Sequence, residues 1–167
     1  QLLGREHSPE QIAHSVRMLR EAGIPQVNLD LMFSLPGQTI EQWRHTLECA
    51  IAQSPDHLST YNLTYEEDTD FFDTFGAQGN DEETDVAMFT LADELLTKAG
   101  YRHYEISNFA RDGKVSHHNL ACWRGEDYYG LGPGAYGTVQ SIRYRNTEDT
   151  ASYTAALKQG RLPEFTE

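Results

Sequence analysis

Val27-Asn28-Leu29-Asp30-Leu31-Met32-Phe33-Ser34-Leu35-Pro36-Gly37-Gln38-Thr39 reads as a strand, a turn and the cap of a helix. Val27, Leu29, Leu31 and Phe33 alternate with Asn28, Asp30 and Met32, the two-residue period of a strand. Leu35-Pro36-Gly37-Gln38 has turn chemistry. Thr39 then caps a helix, with Gln42 completing the capping box, and Trp43, Leu47, Ala50 and Ile51 share one face. Ser54-Pro55 breaks it. His57 to Leu63 is the next strand, with Leu58, Thr60 and Asn62 on one side and Ser59, Tyr61 and Leu63 on the other. A helix precedes the series: Ser8 caps it, Pro9 suits its first position, Gln11 closes the box, Ile12, Val16, Leu19 and Arg20 recur at helical spacing, and Gly23 stops it. Strand, helix, strand predicts right-handed parallel units of an α/β sheet or barrel.

Further along, Glu66 to Asn80 is polar and aromatic without a period and reads as a loop. Asp81 to Lys98 reads as a long acidic helix with Val86, Phe89, Leu91, Leu95 and Leu96 inward, ended by Gly100. Tyr101 to Ile106 is another strand. From Ser107 the character changes. His117 to Gly137 is dense in Gly, His and aromatics, and reads as an irregular functional or connecting stretch. Ser141 to Arg145 reads as a short strand and Ala151 to Gly160 as a short helix. No internal repeat or low-complexity segment is visible.

The 167 residues are 38% hydrophobic and 23% charged, with 26 acids against 13 bases and a net charge of −13. Such a balance argues against binding nucleic acid, whose phosphates need a basic surface, and against anionic lipid. No apolar run approaches the ~20 residues of a membrane span. The start, Gln1-Leu2-Leu3-Gly4-Arg5, is neither an initiator Met nor a signal peptide, and reads as a cut inside a longer protein. Cys49 and Cys122 are too few and too far apart for a disulfide framework or a zinc site, so a reducing cytoplasm is the expected compartment.

Three places hold candidate chemistry. Asp30 sits in a hydrophobic strand, where a buried carboxylate must be bonded; it is either a structural partner of a nearby loop or a polar group at the ligand end of a parallel strand. Asn62 and Thr64 occupy the corresponding place on the next strand. His117-His118-Asn119 followed by Cys122-Trp123 combines groups that can ligate haem iron and stack on a macrocycle; the competing reading is a loop bonding its own backbone. Gly130-Leu131-Gly132-Pro133-Gly134-Ala135 lacks the spacing of a dinucleotide or P-loop motif and reads as a tight backbone passage. No Ser-His-Asp set or HExxH stands out, and no catalytic residue is assigned.

Several segments together resemble the HemW family of radical S-adenosylmethionine proteins, relatives of oxygen-independent coproporphyrinogen III oxidase. They are Leu3-Gly4-Arg5-Glu6-His7, Asn28 to Thr39, Pro55-Asp56-His57-Leu58-Ser59-Thr60-Tyr61, Tyr104-Glu105-Ile106-Ser107-Asn108-Phe109-Ala110, His118-Asn119-Leu120-Ala121-Cys122-Trp123 and Tyr129-Gly130-Leu131-Gly132-Pro133-Gly134-Ala135. The resemblance implies the C-terminal half of a partial (β/α)6 barrel with its extension over residues 1–106. Residues 107–167 would be a connecting region and the start of an α+β C-terminal domain. It implies S-adenosylmethionine contacts at Arg5 (carboxylate), Asp30 (ribose hydroxyls) and Thr64 (backbone, by the adenine), and haem contacts at His118, Asn119 and Trp123. It also implies a 4Fe–4S cluster held by a CxxxCxxC motif that this chain does not contain, nor does it contain the family's GGGTP strand end, so the chain alone is expected to be inactive. The sequence departs from the family at Cys122, where HNxxYW has Tyr, at Tyr136, where His is usual, and at Ser34, where Gly is usual; Cys122 is either a thiolate ligand or a small buried residue, the second being the favoured reading. The function implied is a haem chaperone delivering haem to haem-accepting proteins. The alternative is radical decarboxylation of coproporphyrinogen III.

Overall fold

The structure is a computed structural model that describes residues 8–67, 69–76, 81–162 and 164–166. It divides into two compact units, Gln1–Val115 and Ser116–Glu167.

In the first unit, α1 (Pro9–Glu21) and α2 (Ile40–Ala52) begin as their sequences require. Ser8 and Thr39 each accept from the third residue of the helix, and Gln11 and Gln42 return the bond. β1 (Asn28–Phe33) pairs in parallel with β2 (His57–Asn62), Asn28 opposite His57 and Phe33 opposite Asn62. α3 (Asp70–Phe75) is a short helix where a loop was expected; Thr69 caps it, and Phe71 stacks on Tyr65 and tilts against Phe75. One and a half turns are too few to show a period in sequence. α4 (Glu82–Lys98) leads to β3 (Arg102–Glu105) and β4 (Asn108–Ala110).

The sheet is mixed, in the order β1-β2-β4-β3. The expected parallel series holds for β1 and β2. β3 runs in the same direction, but β4, three residues long and read as the start of the connecting region, is inserted antiparallel between β2 and β3. The chain past Ile106 thus still belongs to the first sheet.

The core lies between one face of this sheet and two helices. Trp43, Leu47 and Ala50 of α2 and Met88, Leu91, Ala92 and Leu96 of α4 pack with Phe33, Leu58, Tyr101 and Phe109. The inward stripe of α4 differs from the expected one: Val86 is 59% exposed and Phe89 37%. At ~100° per residue Val86 lies about 160° from Met88, on the far side of the helix. Phe89 sits at the flank and meets the His103 ring instead. On α1 Val16 is buried, whereas Ile12 and Leu19 stay partly exposed.

Asp56 ties the start of the sheet together. Its carboxylate accepts from the Val27 N–H at 2.9 Å, and pairs with Arg20 of α1 at 2.5 Å and Lys114 at 2.5 Å. Ser34, just after β1, has φ +60°, the left-handed region that favours glycine. It is buried, and its hydroxyl donates to Asp85 of α4.

In the second unit α5 (His117–Trp123) is followed by an antiparallel sheet β5-β6-β7, of Tyr136–Val139, Ile142–Asn146 and Glu164–Thr166, with α6 (Thr150–Lys158) between β6 and β7. The glycine-rich passage is pinned from three sides. Gly130 N–H donates to the Tyr144 hydroxyl, Gly132 N–H to the Tyr153 hydroxyl, and the Asn146 amide to the carbonyls of both glycines. A side chain at Gly137 would meet the Tyr144 ring at 2.3 Å. Tyr136 stands under the guanidinium groups of Arg143 and Arg145, at 4.7 and 5.8 Å from its ring centre.

Candidate functional site

Alternation gives the first sheet two unlike faces. Leu29, Leu31 and Phe33 of β1 turn to the helices. Asn28, Asp30 and Met32 turn the other way, as do His57 and Ser59 on β2 and Asn108 on β4 by register. Asp30 is therefore exposed rather than buried, and it is the third residue of six, in mid-strand rather than at the strand's end.

Hydrogen bonds link this polar face in one chain. Asn28 Nδ2 donates to Asp30 Oδ1 at 2.7 Å. His57 Nδ1 lies 2.8 Å from Asn28 Oδ1, and His57 Nε2 lies 2.7 Å from the Tyr104 hydroxyl. The Ser59 hydroxyl also reaches Asn28 Oδ1, at 3.4 Å. Burial holds the His57 pKa below the usual imidazole value, against the opposing pull of the Asp30 charge, so the ring is neutral near pH 7. Beside it, Asn108 donates to Glu105 Oε2 at 2.6 Å, while its own buried Oδ1 has no partner among the described residues.

The other expected rim residues separate. Thr64 is exposed, two residues past β2, next to the point where Leu63 N–H bonds the Phe33 carbonyl at 3.0 Å. Asn62 belongs to the opposite face, where its amide donates to Asp85 Oδ2 at 2.9 Å. Arg5 lies outside the described residues.

The second site is α5, in the stretch expected to be irregular. Ser116 caps it by accepting from Asn119 N–H. Gly125, at φ +70°, ends it: Gly125 N–H bonds the Cys122 carbonyl and Glu126 N–H the Ala121 carbonyl, the Schellman pattern. A helix converts the spacing of His118, Asn119, Cys122 and Trp123 into one face. His118 and Cys122 stack one turn apart, and Asn119 and Trp123 do the same on the adjoining ridge. His118 Nε2 lies 3.9 Å from Cys122 Sγ. His118 is exposed, Trp123 is 49% exposed and Asn119 is half-buried; Cys122 is half-buried rather than buried.

Comparison with known proteins concerns the chain as a whole. The chain is 35% identical to "Heme chaperone HemW" of Lactococcus lactis, over 97% of this chain and 44% of that protein. It is 39% identical to "Heme chaperone HemW" of Escherichia coli, over 97% of this chain and 43% of that one. The chain belongs with the HemW-type radical SAM proteins. A zebrafish relative, "Radical S-adenosyl methionine domain-containing protein 1, mitochondrial", is 38% identical over 81% of this chain and 31% of its own length. HemW-type relatives are thus matched over less than half of their length. No protein-family model matches the chain. Among solved structures, the radical SAM enzyme coproporphyrinogen III oxidase (HemN) of Escherichia coli superposes with a TM-score of 0.79, over 99% of this chain and 41% of that one, at 22% identity. That likeness concerns the fold.

The described residues fit the two cofactors of such proteins unequally. Asp30 offers an exposed carboxylate with Oδ1 fixed by Asn28 and Oδ2 unclaimed by any described residue, the acceptor that a pair of sugar hydroxyls needs. A 4Fe–4S cluster does not fit. The chain has two cysteines, and no three His, Cys, Asp or Glu of the described residues gather into a metal site. No helix among the described residues is long and apolar enough to cross a membrane.

Proposed function

We propose that this chain carries the haem-contacting helix and part of the S-adenosylmethionine rim of a haem chaperone, a protein that binds haem and delivers it to haem-accepting proteins. The observation that carries this reading is the shared face of His118, Asn119, Cys122 and Trp123 on α5. It stands in a chain whose relatives at 35% and 39% identity are named heme chaperones. The imidazole of His118, exposed on this face, is of the type that ligates haem iron, and the Trp123 ring offers an apolar face to the macrocycle. Cys122, one turn from His118, is a neighbour in contact with the ligand rather than filler. Asn119, one turn from Trp123 on the adjoining ridge, is the third haem contact.

In this reading the first unit is the second half of a partial (β/α)6 barrel, with β4 as a strand added beyond residue 106, and the C-terminal region opens with the second unit at Ser116. Arg5 pairs with the S-adenosylmethionine carboxylate, a charge-assisted contact. Asp30 takes the ribose hydroxyls, and the backbone at Thr64 lies by the adenine. S-adenosylmethionine, when bound with a cluster held by other residues, supplies radical chemistry; the residues here bind and orient it. Two free cysteines suit a reducing cytoplasm.

Titration of the intact protein with haemin tests the reading. A saturable shift of the Soret band is expected for the wild type, with the shift lost or moved in His118→Ala. His117→Ala, exposed on the same helix but off the face, leaves it unchanged. A Soret shift indifferent to His118→Ala removes α5 from the haem site.

A further inference from the structure

We infer that Asn28, His57 and Tyr104 are positioning residues for Asp30, joined in a one-way hydrogen-bond relay across the sheet that turns the free carboxylate oxygen toward a ligand's hydroxyl pair. The inference rests on the reading that Asp30 takes the ribose of S-adenosylmethionine.

The direction of the relay follows from elementary valence. An ionised carboxylate only accepts, so Asn28 must donate through Nδ2, and this fixes which way its amide lies. Asn28 Oδ1 then faces His57 Nδ1, which must carry the proton. His57 is neutral, so Nε2 holds a lone pair and the Tyr104 hydroxyl donates to it. Three donors in series point at one anion: Tyr104 to His57, His57 to Asn28, Asn28 to Asp30. Bonds aligned in this way polarise one another, more so where water is excluded, and His57 is 6% exposed.

The fold makes the relay possible. Tyr104 belongs to β3, which is separated from β2 by β4. The β4 residue opposite His57 is Ala110, which carries only a methyl group on that face. The Tyr104 ring meets His57 edge-on at 5.6 Å. The relay thus joins three of the segments that carry the family resemblance, at Asn28, His57 and Tyr104, into a single device serving Asp30.

Isothermal calorimetry on the intact protein, with S-adenosylmethionine and with adenosine and 2′,3′-dideoxyadenosine as ribose probes, tests this. Asp30→Ala is expected to weaken S-adenosylmethionine binding and abolish the preference for adenosine over its dideoxy form. Tyr104→Phe and Asn28→Ala are each expected to weaken it by roughly three- to tenfold, the worth of one hydrogen bond transmitted to a charged partner. Each also narrows the adenosine preference. In an Asp30→Ala background neither has a further effect, which a general loss of stability could not mimic. If Asp30→Ala weakens binding while Tyr104→Phe and Asn28→Ala do not, or act equally in both backgrounds, the relay is overturned and the rim reading stands. If Asp30→Ala changes neither binding nor preference, the rim reading falls and the relay with it.

Discussion

Trp43→Ala is expected to cost about 3–5 kcal/mol of folding stability, the range for truncating a fully buried indole. Trp43 is 0% exposed, lies 5.4 Å from the Phe33 ring centre, and donates its indole N–H to the Met88 carbonyl at 2.9 Å. One side chain therefore joins β1, α2 and α4. Alanine leaves a cavity at their meeting point and removes the polar tie between the helices. Trp43→Phe restores most of the apolar contact but not the N–H, so it should cost about 1–2 kcal/mol. Urea unfolding followed by circular dichroism measures both. A loss below about 1 kcal/mol for Trp43→Ala would mean that α2 and α4 do not share this core.

The second large effect is at Asp56, and it depends on pH. Burial raises the carboxyl's pKa, but the bonds from Lys114, the Val27 N–H and Arg20 outweigh it and hold the group at about 2, against 3.8 for the free group. Its folded pKa lies below its unfolded one. The stabilisation, about 2 kcal/mol for a shift of this size, is present above pH 4 and disappears as pH falls through about 2. Asp56→Asn should lose a similar amount near neutrality, about 2 kcal/mol. Arg20 and Lys114, 35% and 37% exposed, can turn to water rather than stay buried without a partner. The difference between wild type and variant should shrink steadily between pH 4 and pH 2.5. A difference constant over that interval would show that the charge of Asp56 is not what matters.

The helix starts were legible because their signals are local. Ser8 with Gln11, and Thr39 with Gln42, name the first turn without reference to anything distant. The parallel pair β1 and β2 was legible for a similar reason, since a strand, a capped helix and a strand leave few topologies. β4 was not legible, because three residues carry no period and their place in the sheet depends on pairing with His57 to Ser59. Asp30 shows the limit of reading one strand alone. Alternation placed it opposite Leu29 and Leu31, but whether the opposite face is covered is a property of the whole sheet. The relay behind Asp30 was equally invisible: Asn28, His57 and Tyr104 are far apart in sequence and meet only through register. α5 is a different case. Ser116 as cap, Gly125 as stop and the spacing of residues 118, 119, 122 and 123 were all in the sequence. The density of histidine, glycine and aromatic residues around them masked a two-turn helix, and with it the common face that makes the segment a candidate haem site.

The most direct measurement of the central claim is haem hand-over. The intact protein, loaded with haemin and freed of excess, is mixed with an apo-haem protein, and the acceptor's Soret band is followed against the rate of haemin loss into buffer. The account predicts that the wild type loads and transfers faster than it loses haem spontaneously, and that His118→Ala fails to load or to transfer. Haem that leaves no faster with the acceptor present, or transfer undiminished in His118→Ala, would contradict it.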